Sequence, residues 1–196
     1  MAKINRKYID KHWLVFVVRS LLAGTFGVLL LFSGTDQINN VMIEISVFLL
    51  LIGVIDSVSA LYNSSRKRGW INSVIDAGID VVAAAALLFF VNSDLATSVM
   101  ILSIYTVVSG AIDIFHGFVS TVDPTDRFIR VLAGICGCVI GIAILNAGGY
   151  EITTFVRFFG AYMLIVGITS AIYGVHNRAQ NIEDKVARRQ ARKRKK

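Results

Sequence analysis

Five charged residues interrupt otherwise apolar stretches of this 196-residue chain: Arg19, Asp56, Asp76, Asp80 and Asp113. Arg19 and Asp76 are 57 residues apart, and so are Asp56 and Asp113. Ionisable groups inside an apolar helix are costly to bury, so they are functional candidates by default. A group of carboxylates with one guanidinium could hold a proton or a cation, because a buried carboxylate without a partner favours its protonated form.

Six long apolar segments must position these charges. The chain is 55% hydrophobic and contains one proline, and its mean hydropathy of +0.67 excludes an ordinary soluble α/β domain. An apolar run of roughly 20 residues spans a bilayer as a helix. The sequence therefore predicts an all-α integral membrane bundle of six transmembrane helices, at about 13–32, 41–62, 70–91, 96–119, 128–145 and 152–175. We interpret the first as a mature helix, because it is longer than a usual signal core.

Stripes of small residues indicate that the helices form three repeated hairpins. Gly110 has a small residue seven positions before and after it, and the same stripe recurs 57 residues earlier and later. The nine predicted packing residues are Ser46, Gly53, Ala60, Ser103, Gly110, Gly117, Gly160, Gly167 and Gly174. A fixed period indicates a repeat architecture, and small residues let membrane helices approach closely. We expect parallel repeats at about 13–69, 70–126 and 127–176, related by a pseudo-threefold axis along the membrane normal.

The second helix of each hairpin carries the motif G-x-x-[DST], at residues 53–56, 110–113 and 167–170. Three hairpins of this length with this motif resemble the HdeD-type membrane proteins over about residues 13–176. The resemblance implies a fold built from short repeats and a role in acid or envelope-stress resistance. It brings no catalytic signature and no mechanism.

Helical geometry places the five charges between helices, where they form an intramembrane polar cluster. Asp56 and Asp113 lie on the small-residue stripes, and Arg19 and Asp76 lie about 9 Å from the ends of their helices at 1.5 Å per residue. Two interpretations are open. Arg19 pairs with one or two aspartates while the others are protonated or hydrogen-bonded, or the cluster is a proton- or cation-accessible pocket open to the cytoplasm.

Other polar residues give weaker signals. His116 lies one helical turn from an aspartate of the cluster and could titrate with it, although a histidine at a membrane boundary is more often an interfacial anchor. His12 and His176 show no metal-ligand spacing. The sequence contains no catalytic triad, phosphate-binding glycine loop or zinc-protease motif. We therefore predict a non-enzymatic protein without a cofactor or a metal site.

Lysine and arginine outside the helices follow a one-sided pattern. They occur at both ends of the chain and in the second and fourth loops, and the other three loops contain none. The sequence predicts a protein of the inner or plasma membrane. The positive-inside bias places both of its termini, residues 1–12 and 177–196, in the cytoplasm. The 177–196 tail carries nine basic residues and is expected to bind anionic lipid. A solvated topology anchor is the alternative, and nucleic acid is not expected because aromatic residues are missing from the basic run.

Overall fold

The computed structural model describes residues 13–32, 38–64, 70–90, 95–119, 124–146 and 152–193. These residues form six helices: α1 (Trp13–Phe32), α2 (Ile38–Ser64), α3 (Trp70–Phe90), α4 (Leu95–Val119), α5 (Pro124–Asn146) and α6 (Ile152–Lys193). Each helix is long and apolar enough to cross a bilayer. The predicted all-α fold with six membrane-spanning helices is confirmed.

Two helix boundaries differ from the sequence-based expectation. α5 begins at Pro124 and not near residue 128, because proline has no amide hydrogen to lose and fits the first turn of a helix. α6 continues past residue 175 to Lys193, so the basic tail extends this helix. The basic residues at 1–12 and 65–69, on which the predicted orientation depends, lie outside the described residues.

The helices form a closed ring in which neighbours run in opposite directions. The closest packing joins the second helix of one hairpin to the first helix of the next: α2 with α3, α4 with α5, and α6 with α1. The two helices within a hairpin pack less extensively. Because α6 closes onto α1, the three hairpins interlock. We call the side of the ring where α1 begins, and where Phe16 stacks on Tyr173 of α6, the terminal side.

Glycines explain why these three helix pairs approach so closely. A methyl group added at Gly53, Gly110 or Gly167 would lie 2.6–2.8 Å from the facing helix. The atoms it would meet belong to residues 77–81, 134–138 and 20–24 respectively, which are themselves 57 residues apart. The same contact is thus made three times. All nine small residues of the predicted stripes are buried.

Away from the terminal side, the interior of the ring is filled with large apolar side chains. Each helix contributes at least one large apolar residue that is at most 1% exposed, and six of these recur with the repeat: Leu30, Ile45, Leu87, Leu102, Ile144 and Phe159. The three from the first helices of the hairpins are spaced by 57 residues, and so are the three from the second helices. We call this layer the apolar plug.

The outer surface of the ring is also apolar. Large side chains that are more than 60% exposed occur around the ring, among them Leu21, Leu61, Val82, Phe89 and Val139. A continuous apolar surface of this extent marks a membrane contact in a folded protein. Because a helix pairs its backbone N–H and C=O groups internally, a ring of helices can lie in the interior of a bilayer. The chain is a multi-pass membrane protein.

The glycine contacts predict a strong difference between two chemically identical substitutions. Gly110→Ala should lower the free energy of unfolding by about 1–3 kcal/mol, because the new methyl group meets the Gly134 carbonyl oxygen at 2.6 Å. Gly78→Ala is the matched control, since nothing lies within 4 Å of its added carbon. It should leave stability unchanged or raise it by up to about 1 kcal/mol. Thermal unfolding of the two variants in detergent measures this, and equal melting temperatures would contradict the packing scheme.

Candidate functional site

An ion pair joins the two helices of the first hairpin. Arg19 of α1 donates from Nη1 to Oδ2 of Asp56 on α2 at 2.8 Å. The two side chains are 23% and 8% exposed. Since α1 and α2 pack less extensively than other neighbours, the long arginine side chain bridges the space between them. The guanidinium reaches into the ring, and its Nε atom is buried there.

Asp80 lies one helical turn deeper than Asp76 on α3 and is 3% exposed. Tyr105 of α4 donates its hydroxyl to Asp80 Oδ1 at 2.9 Å. Within the described part of the chain, Asp80 Oδ2 has no hydrogen-bond partner, and neither does Arg19 Nε. One oxygen of this buried carboxyl group is thus satisfied and the other is available.

A small cavity brings the remaining charges together. Its lining comes from α1, α3 and α4, and consists of Arg19, Asp76, Ile79, Asp80, Ser109, Ile112 and Asp113. The volume is about 10 Å³, close to what one water molecule needs. All four aspartates are within range of electrostatic interaction with the Arg19 guanidinium. The structure therefore places the five charges of the predicted polar cluster around one point inside the ring.

His116 belongs to the same cluster. Its imidazole is 1% exposed, and Nδ1 lies 3.7 Å from Oδ1 of Asp76. This contact is an ion pair only when the histidine is protonated. His116 was a weak candidate in the sequence, because a spacing of one helical turn from an aspartate is a weak signal. Its partner in the structure, Asp76, lies on a different helix.

Two tyrosines of the cluster were missed by the sequence analysis. Tyr105 holds Asp80, and Tyr162 of α6 donates to Oγ of Ser109 at 3.1 Å. Together with Phe48, these residues form a buried set with one aromatic side chain from each second helix. They are 57 residues apart, so the repeat register could have revealed them.

A second cation approaches the cluster from α5. The Arg130 guanidinium carbon lies 5.4 Å from the centre of the Tyr173 ring, a cation–π distance. Arg130 also interacts electrostatically with Asp56 and Asp76. With α5 beginning at Pro124, Arg130 lies nearly two turns inside the helix.

The cluster offers proton exchange and charge pairing as its chemistry. Among the described residues, no group of three or more His, Cys, Asp or Glu is arranged to hold a metal ion. Carboxyl, imidazole and phenol groups lie within hydrogen-bonding or electrostatic range of one another. That the chain is not an enzyme stays a prediction.

The ion pair predicts a double-mutant result. Arg19→Ala should cost about 3–5 kcal/mol of stability, because it leaves a buried carboxylate without its counter-charge. Asp56→Asn in the same chain should restore part of that loss. Arg157→Ala, which removes an exposed arginine from α6, is the control and should change stability little. Strict additivity of the Arg19 and Asp56 changes in a thermal cycle would show that the two groups do not interact.

Comparison with known protein families gives one match. The model of a family described as a short repeat of unknown function, DUF308, matches residues 75–146 and 132–186, which together cover more than half of the chain. Curated proteins and solved structures gave no match. DUF308 is the domain family of HdeD-like membrane proteins. The first matched segment covers most of α3 together with α4 and α5, and the second covers most of α5 and α6. The two segments begin 57 residues apart, which is the period found in the sequence. The chain belongs to the DUF308 short-repeat family.

Proposed function

We propose that this chain is a non-enzymatic inner- or plasma-membrane protein of acid or envelope-stress resistance, and that it responds to pH through its buried polar cluster. The observation that carries the proposal is the uneven charge inside the ring. Arg19 pairs with Asp56 at 2.8 Å, and three more carboxylates surround the same point. Buried carboxylates without a counter-charge take up protons as the pH falls.

The basic segments of the sequence indicate how the protein is oriented in the membrane, with the terminal side in the cytoplasm. Asp76, Asp113 and His116 lie toward that side of Asp80, and the apolar plug lies toward the other. A protein arranged in this way binds protons from the cytoplasm. Protonation reduces the negative charge of the cluster and weakens the repulsion among its carboxylates, which changes how tightly the helices pack.

A proton or cation pathway is the second candidate function. The step from Asp76 to Asp80, one helical turn deeper, favours it. The six side chains of the apolar plug oppose it, since each is at most 1% exposed and they offer no polar group to an ion. A transporter of the usual kind also relies on broken helices, whereas each of the six described helices is continuous.

Acid survival tests the proposed role. Cells lacking the gene and complemented with Asp80→Asn should survive acid exposure no better than uncomplemented cells, because the deepest titratable carboxyl group is gone. Glu44→Gln is the control, since it removes an exposed carboxylate from α2 outside the cluster, and it should complement fully. Normal survival with Asp80→Asn, at normal protein levels, would contradict the role of the cluster.

Flux measurements separate the two candidates. In proteoliposomes under a pH gradient, we expect proton and cation flux at the level of protein-free vesicles, because the apolar plug closes the ring. Flux above that level, lost in Asp80→Asn and kept in Glu44→Gln, would reject the pH-responsive protein in favour of a pathway.

The basic tail supports a second contact, with anionic lipid. The membrane span of α6 ends at His176, and the helix continues into residues 177–193, so Arg178 lies within one turn of the end of the span. Each Lys or Arg near an anionic surface contributes about 1 kcal/mol. We propose that the nine basic residues of the tail hold it against the cytoplasmic lipid headgroups.

Removing the tail should separate folding from lipid binding. A chain lacking residues 180–196 should keep its melting temperature, because these residues follow the last repeat. When the shortened chain is embedded in nanodiscs of neutral lipid and mixed with separate vesicles rich in phosphatidylglycerol, the nanodiscs should no longer float together with the vesicles. The full-length chain should bind those vesicles at low salt and release them at high salt. Equal binding by both chains would contradict the lipid contact.

A further inference from the structure

Two buried polar atoms of opposite character border the cavity between α1, α3 and α4. Arg19 Nε carries a hydrogen to donate, and Asp80 Oδ2 can accept one. Neither atom has a hydrogen-bond partner among the described residues, although both are buried. Both residues line the cavity. Buried polar groups in native proteins are nearly always hydrogen-bonded, to protein or to ordered water.

The cavity has the size and the lining for a single water molecule. Its volume of about 10 Å³ is at the lower limit for one water, which also needs two to four polar partners. Arg19 and Asp80 supply a donor and an acceptor, and Asp76, Ser109 and Asp113 supply further polar groups on the same wall. A larger cation has no comparable room.

We propose that this cavity binds one water molecule between Arg19 Nε and Asp80 Oδ2, and that this water relays protons between the terminal side and Asp80. The inference rests on the proposed function and assigns its proton-binding group. A hydronium ion at this position gives one proton to Oδ2 and leaves a neutral water in the cavity. The carboxylate becomes a neutral acid, and the reverse step returns the proton to the water.

Charged and titratable groups face Asp80 from several helices. They are Arg19 on α1, Asp56 on α2, Asp76 on α3, Tyr105 and Asp113 on α4, and Tyr162 on α6. His116 and Arg130 contribute through Asp76 at the terminal side. Protonation of Asp80 leaves the Arg19–Asp56 pair intact and removes one negative charge beside it.

The surroundings of Asp80 set the direction of exchange. Asp76, Asp113 and His116 provide polar groups between Asp80 and the terminal side. Toward the opposite side lies the apolar plug, which includes Leu87 of the same helix and Leu102 of the helix that carries Tyr105. The ionisable groups that can pass a proton to Asp80 therefore lie toward the terminal side.

Infrared difference spectroscopy of the full chain in nanodiscs tests the proton site. Between about pH 8 and pH 5, we expect a protonated-carboxyl C=O band to appear. Asp80→Asn should remove the Asp80 component of that band and so lower its intensity, and Glu44→Gln should leave the band unchanged. Tyr105→Phe should keep the band but shift its frequency, because the hydrogen bond to Oδ1 is lost. The frequency shift assigns the band even if Asp80→Asn folds poorly.

Two results would overturn the inference. One is a spectrum in which the pH-dependent band is identical in wild type and Asp80→Asn. The other is an experimental structure, at a resolution that shows waters, in which no water contacts Asp80 Oδ2 and Arg19 Nε. These outcomes differ from failure of the proposed function, in which the Asp80 band is present but Asp80→Asn cells survive acid normally.

Discussion

Close approach of helix backbones at three equivalent glycines is the constraint on which the rest of this structure depends. Lipid gives helices no hydrophobic reason to associate, so contact between them must come from packing. At Gly53, Gly110 and Gly167 the absence of a side chain lets each second helix lie directly against the first helix of the next hairpin. Closing α6 onto α1 by the same contact completes a ring. Only a closed ring can hold charged groups away from lipid on all sides.

A symmetric scaffold carries an asymmetric set of polar groups. Positions 19, 76 and 133 are equivalent in the repeat, yet they are arginine, aspartate and alanine. Positions 23, 80 and 137 are alanine, aspartate and glycine. At both levels the third hairpin supplies a small residue. The second hairpin provides three of the four acid groups, and the first provides Asp56 together with its cation, Arg19. Structural symmetry explains where a side chain can point inward, while the departures from symmetry decide what chemistry the interior has.

The period of 57 residues explains why so much of the fold could be predicted from the sequence. It relates Gly53, Gly110 and Gly167, which make the same contact in the structure, and it placed four of the five charges at related depths. Contacts between different helices were harder to predict. The partner of Asp80 is Tyr105 and the partner of His116 is Asp76, and neither pair is marked by a shared spacing. The start of α5 was also hard to predict, and its position at Pro124 puts Arg130 nearly two turns inside the helix.

The order of layers along the ring connects this fold to its chemistry. From the terminal side inward come Arg19, Asp56 and Asp76, then Asp80 with Tyr105, and then the apolar plug. Carboxylates can be buried in the first two layers because an arginine, hydroxyl groups and a water-sized cavity provide ion-pair and hydrogen-bond partners for them. In the plug, each helix contributes a large apolar side chain in place of an ionisable one. An interior that is polar on one side and dry on the other can bind a proton and return it to the same side, which suits a responsive protein better than a conduit.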